Sequence, residues 1–131
     1  SYYSQWGGAL SNLEKSISVV VNDFDFAVAI AETAYMNSMT APTKQVLDSS
    51  KAALPGFAIS PSGQAAYANK SCALLRAGAG NKSIGVWWWE GFSPNTAKLS
   101  DELGASYISS SSLVTLAGRA NAAMLALGKC K

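Results

Sequence analysis

The chain has no histidine. That absence removes the usual base behind a serine or cysteine nucleophile and the commonest nitrogen ligand of zinc. Cysteine is limited to Cys72 and Cys130, so a zinc site built on four thiolates is excluded too. Charge is scarce, at 14% of residues against a usual share of about 25%. Arginine occurs only at Arg76 and Arg119, and Lys15, Lys44, Lys51, Lys70, Lys82 and Lys98 are scattered. A nucleic-acid binder needs a basic stripe, so no nucleic-acid partner is expected. G-x-S-x-G and G-x-x-x-x-G-K-[ST] are both missing, which argues against an α/β-hydrolase serine and against a phosphate loop. The most apolar stretch, residues 26–36, is too short to span a bilayer alone.

What is present points to a folded chain. It has 131 residues, 49% of them hydrophobic, and a net charge of +2. This predicts one globular domain over residues 1–131, able to bury roughly two thirds of its unfolded surface. Residues 1–9 form an aromatic N-terminal arm with Tyr2, Tyr3 and Trp6. Cys130 lies next to the end of the chain, where a thiol has little core to hide in and a terminus frays unless tied down. A Cys72–Cys130 disulfide is therefore expected, and with it an extracellular, processed product whose signal peptide has been removed. No metal and no cofactor are expected. Asn69 and Asn81 each begin an Asn-Lys-Ser glycosylation acceptor.

Periodicity divides the chain into alternating elements. Alternation and β-branched residues predict a strand over 16–22, although Ser11-Asn12-Leu13-Glu14 has the spacing of a helix capping box. Asp25 caps an alanine-rich helix over 26–36. Thr40-Ala41-Pro42 opens a helix that Pro55-Gly56 ends, and Phe57-Ala58-Ile59 reads as a short strand. Ser60-Pro61 opens the next helix, closed by Gly78-Ala79-Gly80-Asn81. Residues 83–90 are the clearest strand. A polar helix over 93–103, a strand over 105–109 and a helix over 113–127 complete the chain, with Gly128 as the terminator. The expected fold is α+β: a compact two-layer α/β sandwich with about four helices on a three- or four-stranded sheet. An all-α bundle is the alternative, because residues 10–36 also read as helix.

Three features bear on chemistry. Trp87, Trp88 and Trp89 are consecutive, and in a strand Trp88 shares a face with Ile84 and Val86 while Trp87 and Trp89 share the other with Gly85. The run is either core or an aromatic platform for a sugar, a lipid or a protein. Asp23 and Asp25 form an acid pair that serves as caps and turn formers or, with Glu90, as the carboxylates of a glycan hydrolase. The C-terminal helix is rich in Ala117, Gly118, Ala120, Ala122, Ala123 and Ala126, small residues suited to close helix packing or a homo-oligomer contact.

The Ala/Ser-rich helix carrying Cys72, the strand running into Trp87-Trp88-Trp89, the terminal Gly128-Lys129-Cys130-Lys131 and the 13.6 kDa mass resemble virus-encoded killer toxins and small secreted effectors of fungi. That resemblance implies a compact α/β sandwich acting on the membrane or ion transport of susceptible cells. The expected function is a secreted, non-enzymatic toxin or effector that binds a cell-surface, cell-wall or membrane component of a target cell. The alternatives are a small carboxylate-dependent glycan hydrolase and a lipid- or sterol-binding secreted protein.

Overall fold

The structure is a computed structural model and describes residues 1–3, 7–38, 53–89, 91, 112–115 and 118–130. Helix α1 spans Leu10–Phe24. Leu13 and Ile17 are buried, and Leu10 and Val21 pack beside them. This corrects the strand expected over 16–22. A β-branched residue costs a helix at most about 0.7 kcal/mol, whereas burying a Leu or Ile side chain contributes about 1.5–3 kcal/mol. The Ser16 and Ser18 hydroxyls donate to the Asn12 and Glu14 carbonyls four residues back, which removes their incentive to leave the helix. No capping box forms; the N-cap is Ala9, without a side-chain bond.

Asp25 ends α1 instead of starting a helix. Its φ is 58°, its N–H donates to the Val21 carbonyl (3.2 Å), and the Phe26 N–H donates to the Val20 carbonyl (3.3 Å). The helix expected over 26–36 is a strand, β1, over Val28–Thr33. A strand buried in a parallel sheet has no polar alternation, so its sequence looks like a buried helix.

Helix α2 spans Pro61–Ala79, with proline in its first turn and the Ser60 hydroxyl accepting from the Gly63 N–H. Where α1 crosses α2, a Cβ on Gly78 would meet Ile17 Cγ2, so the glycine sets how closely the helices approach. A 3₁₀ turn, Gly80–Lys82, delivers the chain to strand β2, Ser83–Trp88. Phe57-Ala58-Ile59 is no strand but part of the turn before α2. The helix expected over 93–103 and the strand over 105–109 lie outside the described residues, as does most of the helix expected from Thr40 to Leu54.

The long C-terminal helix expected over 113–127 is also corrected. Helix α3 covers only Ala122–Leu127, capped by the Asn121 side chain. Before it, Val114 and Ala120 form an antiparallel bridge, with Gly118 at φ 70° in the turn between them.

β1 and β2 pair in parallel, so the α2 crossover makes a β-α-β unit. The register runs Val28 to Ser83, Ala29 to Gly85, Ile30 to Val86 and Thr33 to Trp88. It slips once at Ile84 and again at Ala31-Glu32. The first slip turns Ile84 outward, 60% exposed, so it does not share the packed face of Val86 and Trp88. Among the described residues, then, the architecture is mixed: two parallel strands and three α-helices. The all-helical alternative falls.

One core gathers Leu13, Ile17, Ile30, Tyr35, Tyr67, Leu74 and Leu75 between α1, α2 and the sheet. A second joins Ala68 of α2 to Leu113, Ala123 and Ala126, so α3's small residues pack inside the chain. The Cys72–Cys130 disulfide, Cα to Cα 5.3 Å, ties α2 to the residues beyond α3. Among the described residues no helix is long and apolar enough to cross a membrane.

Candidate active site

Parallel strands point the same way, so β1 and β2 end together. Their C-terminal ends carry Glu32 and Thr33 on β1 and Trp87, Trp88 and Trp89 on β2. The Trp89 N–H donates to the Thr33 carbonyl (2.8 Å) and holds the two exits side by side. The second slip in register gives β1 the extra residue: Ala31 and Glu32 lie opposite Trp87 alone. The bulge re-aims one side chain, as bulges commonly do beside functional sites.

Thr33 and Trp88 turn toward α2. The Thr33 hydroxyl shares a 2.6 Å hydrogen bond with the Tyr67 phenol, and the Trp88 indole meets the Tyr67 ring edge to face. Burial pushes the Tyr67 phenol up to about 12, with the Thr33 hydroxyl pulling the other way. Tyr67 is therefore a neutral structural group, packed flat against Tyr35 with centroids 4.7 Å apart.

Trp87 and Trp89 point away from the helices, 52% and 44% exposed. Trp88 packs against both core clusters, while Trp87 and Trp89 are exposed. Glu32 is half-buried beside them. The Ser1 hydroxyl donates to its carboxylate (3.1 Å), and the Tyr2 N–H donates to its backbone carbonyl (2.9 Å). A half-buried carboxylate next to exposed indoles can exchange a proton with, or attack, a sugar stacked on those rings.

Asp23 and Asp25 are exposed and precede β1, about 20 Å, one strand length, from these exits. Asp25 forms an ion pair with Lys82 at the start of β2. Glu90 lies outside the described residues. Glu32 was not anticipated. The available signal was a lone acid closing an apolar run, and it was hidden once that run was read as helix.

A family model described as glycosyl hydrolase family 53 matches residues 1–127. The GH53 catalytic domain of Ignisphaera aggregans is similar in fold, with a TM-score of 0.71 at 21% identity, over 97% of this chain and 36% of that one. A structure of fungal β-1,4-galactanases gives 0.68 at 17% identity, over 98% and 36%. An uncharacterised protein in the bgaB 5′ region of Niallia circulans is 27% identical over 92 residues, or 69% of this chain and 25% of its own length. The chain thus spans about a third of the solved domains and a quarter of the curated relative. The family match and both fold neighbours overturn the resemblance to killer toxins and effectors. The expected target-cell partner and the expected toxin function fall with it, and the glycan-hydrolase reading is favoured instead.

Proposed function

We propose that this chain, which belongs to glycosyl hydrolase family 53, forms part of a catalytic domain that hydrolyses a β-1,4-linked galactan. The observation that carries the reading is Glu32, a half-buried carboxylate at the C-terminal end of a parallel strand, opposite Trp87 in the register of a partner strand that ends on exposed tryptophans. A parallel β-α-β unit is the repeating piece of a (β/α)₈ barrel, whose catalytic groups stand at the C-terminal ends of its strands. The galactan is suggested by the substrate in the name of the fungal fold neighbours.

Glycoside hydrolysis needs two carboxylates flanking the scissile bond: one protonates the leaving oxygen, and the other attacks the sugar or activates water. Glu32 supplies one of them. The second comes from outside the described residues, since Asp23 and Asp25 stand at the opposite strand ends. Trp87 and Trp89 offer their faces to the apolar side of a galactose unit and hold it beside the carboxylate. A polymeric substrate and a disulfide-closed chain both suit an extracellular setting.

The test is Glu32→Gln in the full-length protein, assayed by reducing ends released from β-1,4-galactan. The expected result is a fall in kcat on the order of 10³-fold with an unchanged melting temperature. A variant that keeps wild-type turnover removes Glu32 from the mechanism. A wild type inactive on galactan but active on another β-linked glycan would revise the substrate alone.

A further inference from the structure

Gln64 lies in the first turns of α2 and is fully buried, an unusual position for an amide without a task. Its Nε2 donates to the Tyr35 carbonyl (2.8 Å) and to the Ser112 carbonyl (3.3 Å). Its Oε1 accepts from Asn121 Nδ2 (2.9 Å). These partners belong to three segments. Tyr35 and Asn37 lie just past Glu32 on the exit from β1, and Asn37 Nδ2 also donates to the Ser112 carbonyl (2.9 Å). Ser112 and Leu113 are bound to the exit from β2, where the Leu113 N–H donates to the Gly91 carbonyl (2.7 Å). A Cβ on Gly91 would strike Leu113, so the segments lie in direct contact. Asn121 caps α3 and donates to the Ser112 carbonyl as well (2.9 Å).

Gln64 therefore sits where both strand exits and the start of α3 converge. We propose that it is a positioning residue that locks the β1 and β2 exits to each other, fixing Glu32 relative to Trp87 and Trp89. The catalytic part of this statement rests on the hydrolase reading above; the mechanical part does not. A buried amide suits the task because its donor and acceptor ends lie in one plane. One rotamer then reaches both exits; losing it takes from the Tyr35 carbonyl its 2.8 Å donor and from Asn121 its acceptor, while the Ser112 carbonyl keeps Asn37 and Asn121.

The experiment compares Gln64→Leu, Gln64→Glu and Asn121→Asp in the full-length protein. Asn121→Asp keeps the oxygen that caps α3 and turns the donor facing Gln64 and Ser112 into a carboxylate acceptor, and it covers the case in which Gln64→Leu fails to fold. Two readouts are taken below each variant's melting temperature: kcat and KM on galactan, and amide exchange over residues 34–38 and 112–115. Gln64→Leu is expected to speed exchange in both segments together. It should lower kcat by on the order of 10–100-fold while KM stays within about twofold, because misplacing a catalytic group by a fraction of an ångström affects the chemical step more than binding. Asn121→Asp should show the same signature. Gln64→Glu should recover turnover as pH falls, since the protonated acid regains one O–H donor. Faster exchange in one segment alone, or a kcat at the wild-type level despite a lower melting temperature, overturns the proposal. A wild type without hydrolase activity overturns the functional reading, and the exchange data then decide the coupling of the exits by themselves.

Discussion

Burial holds the Tyr67 phenol neutral far above the ordinary range, and that has a measurable consequence. A folded-state value near 12 against an ordinary value of 10.0 means that the native state keeps this proton more tightly than the unfolded chain does. The resulting stability is fully present below pH 10 and is lost as pH climbs toward 12. Its size is about 2–3 kcal/mol, from roughly 1.4 kcal/mol per pH unit. Urea denaturation at a series of alkaline pH values should show this fall. Tyr67→Phe should be weaker at neutral pH, because Thr33 loses its partner, yet flatter above pH 10. Burial also raises Tyr2 and Tyr35, so the slope will shrink without vanishing. A variant with the full wild-type slope would show that Tyr67 is not the group responsible. At this scale the sequence was readable where a residue's role follows from its neighbours in the chain. Ser60 as a cap and Cys72 with Cys130 as a bridge are such cases. The position of Glu32 was not readable, because it depends on a strand end that only pairing creates.

Elements were legible where their ends carry chemistry and illegible where only periodicity spoke. Ser60-Pro61 and Gly80 bracket α2 by local hydrogen bonds, and β2 is marked by its β-branched and aromatic residues. α1 and β1 were exchanged, since a run of valines inside a helix and a run of alanines inside a strand both defy propensity. Packing decided each: Ile17 against Gly78 for the helix, and the ladder to Ser83–Trp88 for the strand. α3 shows the same dependence in another form. Six residues are too few to hold a helix in water, so α3 relies on the Asn121 cap, on Ala123 and Ala126 against α2, and on the bridge to Cys72. That bridge closes a separation of 58 residues, worth about 4 kcal/mol in the chain-entropy model. Cys130→Ser should therefore lower the melting temperature by on the order of 10 °C, and reduction of the wild type should match it. The surviving Cys72 thiol is buried and packs as a small apolar group. A shift of only a degree or two in calorimetry would mean that α3 is held by its packing alone.

At the scale of the molecule, what stands out is how much of the sheet the described residues leave open. Among the described residues β1 and β2 pair only with each other, apart from the bond from Tyr2 to Glu32 at the outer edge of β1. The helices cover one face; on the other, Ala31 and Trp87 are exposed. A two-stranded sheet is marginal by itself, and parallel strands are usually covered on both faces. A chain of 131 residues reads naturally as one closed domain, and the similar solved domains are almost three times as long. A barrel closes its edges by pairing the last strand with the first, a pairing that leaves no periodic trace in a sequence. The consequence is physical. Strand edges and an exposed indole face favour association with any chain that can pair with them. The isolated 131-residue chain should accordingly sediment as concentration-dependent oligomers, and Trp87→Lys should shift it toward the 13.6 kDa monomer by placing a charge on the open face. In a longer protein that supplies the neighbouring strands, the same substitution should leave the sedimentation coefficient unchanged and weaken galactan binding instead. An isolated chain that stays monomeric at all concentrations, with protected amides along both outer strand edges, would show that the described sheet is already complete, and the partial-barrel reading would fail.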